Sequence, residues 1–226
     1  MSLKAAVSLE DLGWNERLAK SFEIFGGSGY VPARVIREER ELYFVCGPAG
    51  ETKARVSGAF RDKALSPSEF PKVGDWVVLA ARPEEGSATI HGVLPRTNTL
   101  SRKEAWVQTT QQVIAVNLDT LFIVADLNQN FNIRRLERYL AMATENGAEP
   151  VVVLNKADLT SDAETILARA REAAPGVAVC VVSATASLGL DAIRSRMGRG
   201  RTAAFVGPSG LGKSSLINRL LGTEHL

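Results

Sequence analysis

Ala203-Ala204-Phe205-Val206-Gly207-Pro208-Ser209-Gly210-Leu211-Gly212-Lys213-Ser214 is the stretch that decides the fold class. An apolar run, Thr202–Val206, reads as a strand, and Lys213–Leu221 reads as a helix stopped by Gly222. Between them Gly207 to Ser214 match GxxxxGK[ST], in the strand–loop–helix setting that pattern requires. The residue types follow from what a polyphosphate needs. Glycines let the backbone curl so that successive N–H groups point inward at phosphate oxygens. The start of the helix adds unpaired donors and a partial positive charge. Lys213 neutralises the terminal phosphates, and the hydroxyl of Ser214 is placed to ligate Mg²⁺ beside them.

A phosphate loop alone does not distinguish adenine from guanine. Asn155-Lys156-Ala157-Asp158 does, and it stands earlier in the chain, directly after the apolar run Pro150–Leu154. A carboxylate such as Asp158 can accept from both the N1–H and the 2-amino group of guanine, a donor pair that adenine lacks. The stem of Lys156 can cover the face of the base, and the amide of Asn155 can tie the motif to a neighbouring loop. Ser183-Ala184 follows the next apolar run, at the place where a backbone N–H would meet guanine O6. Three motifs at three strand ends form a nucleotide site.

Around these motifs the periodicity alternates. Leu121–Ala125, Pro150–Leu154, Val177–Val182 and Thr202–Val206 read as apolar strands. Ile133–Asn146, Asp162–Ala174, Leu190–Met197 and Lys213–Leu221 read as helices. Strands apolar throughout and separated by helices indicate a parallel sheet covered on both faces.

The first half has a different texture. Leu9–Phe25 reads as one short helix, and Gly26-Gly27-Ser28-Gly29 ends it. Short β-rich runs follow at Tyr30–Arg37, Glu41–Cys46, Lys53–Phe60, Asp75–Ala81 and Thr89–Leu94. Five short strands separated by Gly and Pro suggest a small barrel or sandwich, with an OB-fold the leading candidate among small barrels. Pro95–Thr110 reads as a linker carrying Arg96, Arg102 and Lys103. The expected divisions are therefore a helical segment at 1–29, a barrel at 30–98, a lead-in at 99–118 and the nucleotide domain at 119–226.

Composition narrows the class without identifying it. With 226 residues, 45% hydrophobic and 23% charged, the chain has the balance of an ordinary globular protein. A net charge of +2 does not by itself argue for nucleic acid, and in the stretch 30–110 12 Lys and Arg stand against 10 Asp and Glu. Cys46 and Cys180 are far apart, and Cys180 lies in the apolar run VAVCVV, where it reads as a small buried hydrophobe. No signal peptide and no membrane-spanning run is evident, so a cytoplasmic monomer is expected. Arg194, Arg196, Arg199 and Arg201 fit either contacts to RNA phosphates or cations at a helix C-terminus. Trp76 fits either a core position or a base-stacking platform.

The order NKAD, then SA, then GPSGLGKSS resembles the circularly permuted GTPases. A barrel in front, with LPRTNTLSRK and QQVIAVNLDTLFIV leading in, resembles one family of them, the ribosome small-subunit-dependent GTPase A. The likeness runs from about Tyr30 to Gly222. It implies a permuted α/β P-loop GTPase domain behind an OB-like barrel. It implies that Asn155, Lys156, Asp158, Ser183 and Ala184 bind guanine and that Gly207 to Ser215 hold the phosphates. It implies hydrolysis of GTP with Mg²⁺, stimulated by the small (30S) ribosomal subunit during its maturation, and contact of the barrel with ribosomal RNA. The family's first switch, its DxxG motif and a C-terminal zinc domain come after the P-loop helix. They fall beyond Leu226, so no catalytic residue and no zinc ligand is carried over, and this stretch alone is expected not to turn over GTP. Two other readings remain from the residues: an RNA-binding module that holds guanine nucleotide structurally, and an ATP-dependent P-loop kinase, which NKAD disfavours.

Overall fold

The computed structural model describes residues 7–26, 29–82, 86–103, 111–127, 131–160 and 162–222. The chain divides into two compact units, Met1–Leu118 and Asp119–Leu226.

In the first unit, β1 (Val31–Glu39), β2 (Leu42–Gly47), β3 (Gly50–Val56), β4 (Trp76–Arg82) and β5 (Ser87–Val93) close into a barrel in the order β1-β2-β3-β5-β4. All neighbours are antiparallel except β3 and β5, which run parallel. Closure removes exposed sheet edges, and alternate residues point inward. Ala33, Val35, Tyr43, Val45, Ala54, Val77, Leu79 and Ile90 fill the interior. This is the five-stranded barrel architecture of the OB-fold.

The expected helix over Leu9–Phe25 is broken. Glu10–Leu12 forms one tight turn, Gly13 enters the left-handed region at φ 92°, and Asn15 starts α1 (Glu16–Phe22) by accepting from the Leu18 N–H at 3.1 Å. Leu18 packs with Trp76, Val78 and Leu94, so α1 closes an apolar cluster against the outside of β4. Trp76 is 2% exposed and meets Trp14 edge-on at 4.8 Å, which makes it a core residue and not a base platform. The strand expected over Lys53–Phe60 stops at Val56 because the Ser57 hydroxyl accepts from Phe60 N–H and opens α2 (Gly58–Lys63). The stretch read as a linker contains β6 (Thr99–Lys103), which pairs antiparallel with β7 (Gln111–Val116). Residues 104–110 and the side chains of Arg102 and Lys103 lie outside the described residues.

Arg96, read from sequence as a basic residue of the linker, is part of the barrel's frame. Its guanidinium grips the fully buried Asp75 carboxylate with two bonds of 2.8 and 2.7 Å, and also donates to the carbonyls of Ser68 and Phe70. The second Asp75 oxygen accepts from Lys72 N–H at 2.7 Å as well. A forked cation is what a buried carboxylate requires, since only arginine matches both oxygens at once. Contact with RNA phosphate is therefore not this side chain's role.

In the second unit, β8 (Thr120–Asp126), β9 (Glu149–Asn155), β10 (Ala178–Val181) and β11 (Ala203–Val206) form a parallel sheet in the order β10-β9-β8-β11. Thus β11, last in the chain, lies beside β8, the first. Phe122, Val124, Val151, Val153 and Cys180 pack on one face with Ile193 and Leu216. Leu121, Ile123, Val152 and Leu154 alternate with them and are equally buried, and α3 (Ile133–Glu145) lies across β8 and β9. α4 (Ala163–Ala173) packs beside β10, and α6 (Lys213–Leu221) contributes Leu216. The helix expected over Leu190–Met197 is a single turn, α5 (Asp191–Arg194). Beyond it Arg196 and Met197 bond to Ile193 and Arg194, three residues back, so the chain tightens instead of propagating an α-helix. Among the described residues, β11 pairs with β8 alone.

Arg96→Ala leaves Asp75 charged and buried without its cation. It should destabilise the first unit by about 3–5 kcal/mol, with Arg96→Lys intermediate because one point charge replaces the fork. Urea unfolding followed by tryptophan fluorescence measures both, and wild-type stability in Arg96→Ala would remove Arg96 from the frame.

Candidate functional site

Because β8 to β11 are parallel, all four C-terminal ends emerge at one edge of the sheet. Register places Asp126 beside Asn155, Leu154 beside Val181, and Val206 beside Ile123. The residues that follow each strand are brought together there: Lys156 to Asp158 after β9, Ser183 and Ala184 after β10, and the loop from Gly207 to Gly212 after β11. Ligands of open α/β sheets bind outside this edge.

Asn155 joins all three segments. It is 2% exposed. Its Nδ2 donates to the Leu211 carbonyl at 2.8 Å, and its Oδ1 accepts from the Ala184 N–H at 3.2 Å. Both ends of one amide are satisfied by loops 56 and 29 residues away. Ala157 N–H donates to the Val182 carbonyl at 3.0 Å, a second tie between the β9 and β10 loops. The turn after β10 closes on itself: Ser183 and Leu188 exchange both backbone bonds, and the buried Ser183 hydroxyl accepts from Ala186 N–H at 3.0 Å. Ser183 therefore acts through its own turn, and the Ala184 N–H expected to face a ligand is directed at Asn155.

The glycine-rich loop has the backbone its sequence requires. Gly207 sits at φ 143°, and a Cβ there would overlap the Val124 carbonyl of β8. Gly212, at φ 78°, lies where a Cβ would come within 2.7 Å of Asn155 Nδ2. Neither position accepts an L side chain. Leu211 turns inward and is 8% exposed, which anchors the loop to the core beneath it. The Lys213 ammonium bridges the Gly207 and Pro208 carbonyls at 2.9 and 2.7 Å. Ser214 and Ser215 stand exposed in the first turn of α6, whose leading N–H groups have no partner within the helix. The hydroxyl of Ser214, a hard oxygen beside Lys213 and the glycine-rich loop, fits a magnesium ion carried with phosphates.

Asp158 is exposed in the tight turn Ala157–Leu159, its carboxylate open to solvent. Lys156 is held at φ 68°, and its ammonium pairs with Asp126 at 3.1 Å. Asp126 was missed by the motif reading. The available signal was an acidic residue directly after the apolar run Leu121–Ala125, at a strand end of the same sheet. A cavity of about 60 Å³ lies under the loop, walled by Ile123, Val124, Phe131, Leu136, Pro208 and Leu211.

The arginines before β11 are engaged locally. Arg194 pairs with Asp191 at 3.0 Å and donates to the Arg219 carbonyl. Arg196 donates to the Ala192 carbonyl, and Arg201 pairs with Glu149 at 2.9 Å. These contacts favour the reading as helix-end and loop cations. Burial pushes the Cys180 thiol up, so it stays neutral in the core. Among the described residues no cluster of His, Cys, Asp or Glu could hold a metal ion; the zinc domain implied by resemblance comes after Leu226. Nor is any described helix long and apolar enough to cross a membrane.

The model of the RsgA GTPase family matches residues 93–226. The chain is 44% identical over 199 residues to small ribosomal subunit biogenesis GTPase RsgA 2 of Lactiplantibacillus plantarum, a span covering 88% of this chain and 56% of that protein. Among solved structures, YjeQ from Thermotoga maritima matches at a TM-score of 0.67 and 25% identity, over 84% of this chain and 65% of that one. YloQ, described as a circularly permuted GTPase, matches at a TM-score of 0.63 and 24% identity, over 84% and 63%. The chain thus spans little more than half the length of the first of these relatives.

Asn155→Ala would strand the Leu211 carbonyl and the Ala184 N–H in the interior. At about 1–3 kcal/mol for each of the two unsatisfied groups, the second unit should lose roughly 2–6 kcal/mol. Amide hydrogen exchange should accelerate at Ala184 first, and an unchanged rate there would show that the Asn155 bridge does not hold this loop.

Proposed function

Because this chain belongs to the RsgA GTPase family, we propose that it binds guanine nucleotide across the C-terminal ends of β8 to β11. We propose further that the protein hydrolyses GTP to GDP and phosphate in biogenesis of the small ribosomal subunit. The observation that carries the nucleotide reading is the Asn155 amide, which locks a base-reading segment, a second base-facing turn and a phosphate loop into one unit.

In this reading Asp158 accepts the N1–H and 2-amino hydrogens of guanine, and Lys156 lays its stem along the base. The turn at Ser183 and Ala184 closes the O6 side. The backbone from Gly207 to Gly212 and the first turn of α6, through Ser215, surround the phosphates. Lys213 has three donors and spends two on loop carbonyls. Its third, and its charge, face the phosphate oxygens. Ser214 holds the magnesium ion, which when bound offsets charge on the terminal phosphates. Phosphoryl transfer depends mostly on positioning and charge stabilisation, and these residues supply the fixed half of both. The name of that Lactiplantibacillus plantarum relative supports a role in small-subunit biogenesis. The barrel is the proposed surface for ribosomal RNA, in a cytoplasmic protein acting as a monomer on the subunit.

Calorimetry with GDP, GTP, ADP and ATP tests the central claim. Guanine nucleotides should bind more tightly. Asp158→Asn should weaken GDP by about 2–3 kcal/mol, the loss of a paired charged acceptor, and improve binding of xanthosine diphosphate, whose 2-oxo group accepts a hydrogen bond. Equal affinity for adenine and guanine nucleotides would refute the reading. Sedimentation with small subunits should weaken as salt rises, because phosphate contacts release counterions. Co-sedimentation unaffected by deletion of the barrel would move the RNA contact elsewhere.

A further inference from the structure

Asp126 ends β8, and no sequence motif includes it. Its side chain is 12% exposed, and Oδ1 has no hydrogen-bond partner of good geometry among the described residues. That same oxygen lies 3.1 Å from the Lys156 ammonium, whose side chain is 32% exposed. The contact is thus a charge pair whose geometry is incomplete as a hydrogen bond. A carboxylate this enclosed is costly unless a cation answers it.

The pairing is built into the sheet. Parallel register sets Asp126 beside Asn155, so the next residue on β9 leaves the sheet adjacent to the Asp126 carboxylate. Lys156 takes the left-handed conformation at φ 68°, uncommon for a side chain without a helper group. On both sides the backbone is held: Leu127 N–H donates to the Asn155 carbonyl at 3.0 Å, and Ala157 N–H to the Val182 carbonyl at 3.0 Å. With its Cα fixed and its ammonium drawn to Asp126, the lysine has few rotamers left.

We infer that Asp126 is a positioning residue for the base site: it holds the Lys156 stem in the place where it covers a guanine ring. This rests on the proposed guanine site. A free lysine stem must be ordered when the ligand arrives, and that ordering weakens binding. An ammonium already tethered has lost that freedom beforehand. The carboxylate contacts the lysine and not the ligand, so it tunes affinity without reading the identity of the base.

The test is a double-mutant cycle on GDP affinity with Asp126→Asn, Asp126→Ala, Lys156→Ala and the pairs, by calorimetry on the 226-residue chain. Asp126→Asn keeps the shape and guards against misfolding of the alanine variant. Each Asp126 single change should weaken GDP by roughly 3- to 10-fold, the worth of ordering one long side chain. In the Lys156→Ala background the same change should have no further effect. The preference for GDP over inosine diphosphate, which lacks the 2-amino group, should be retained in every Asp126 variant. A merely structural role predicts equal losses with and without Lys156, and that outcome overturns the inference, as does unchanged affinity in Asp126→Asn. Wild-type chain that fails to bind GDP overturns the proposed guanine site itself and the inference with it, whereas failure confined to the Asp126 variants leaves that site standing.

Discussion

A buried primary amide has to satisfy a donor end and an acceptor end at once, and Asn155 does so by reaching two loops that are remote in sequence. Much of the second unit's functional edge depends on that constraint. The Leu211 carbonyl would otherwise be an unpaired acceptor in the glycine-rich loop, and the Ala184 N–H an unpaired donor in the turn after β10. Gly212 must be glycine because the same amide passes within 2.7 Å of where its Cβ would stand. One side chain therefore sets the spacing of three segments and limits what can occupy a fourth position. Preorganisation of this kind is what a nucleotide site needs, since a loop that must be ordered on binding loses affinity to entropy.

Parallel pairing makes the arrangement possible. Antiparallel strands would deliver successive loops to opposite edges. Four parallel strands deliver them to one, and the helices that return the chain cover both faces with apolar side chains. The chain order is secondary to this geometry. The glycine-rich loop comes last in the chain, yet β11 lies beside β8 and its loop meets Asn155. A permuted thread reaches the same edge because packing depends on which strands adjoin and not on which was made first.

The first unit solves a different problem. Its barrel has no open edge, and its interior is mostly aliphatic side chains around Tyr43. Among the described residues its one fully buried carboxylate, Asp75, is answered by Arg96 and the Lys72 N–H. A charge count over the region gives near balance, and the structure shows why such a count is a poor guide to partners. A cation that looks available in the sequence can be spent on holding the fold.

The motifs, their order and the alternation of strands and helices were legible in the sequence because each is a local pattern. GxxxxGK[ST] needs glycines at fixed offsets, NKAD follows an apolar run, and buried parallel strands are apolar along their whole length. Boundaries were less legible wherever a cap or a tight turn intervened, as at Asn15, Ser57 and Leu190–Met197, since a single hydrogen bond decides those ends. The strand β6 was hidden in a polar stretch because its pairing with β7 is made across intervening residues. Only the tertiary structure could assign Arg96 to Asp75, Trp76 to the core and Asp126 to Lys156. Each of those pairings joins residues separated in sequence, and the partner of a charge or a ring is set by which strands lie side by side, a property that periodicity and spacing do not carry.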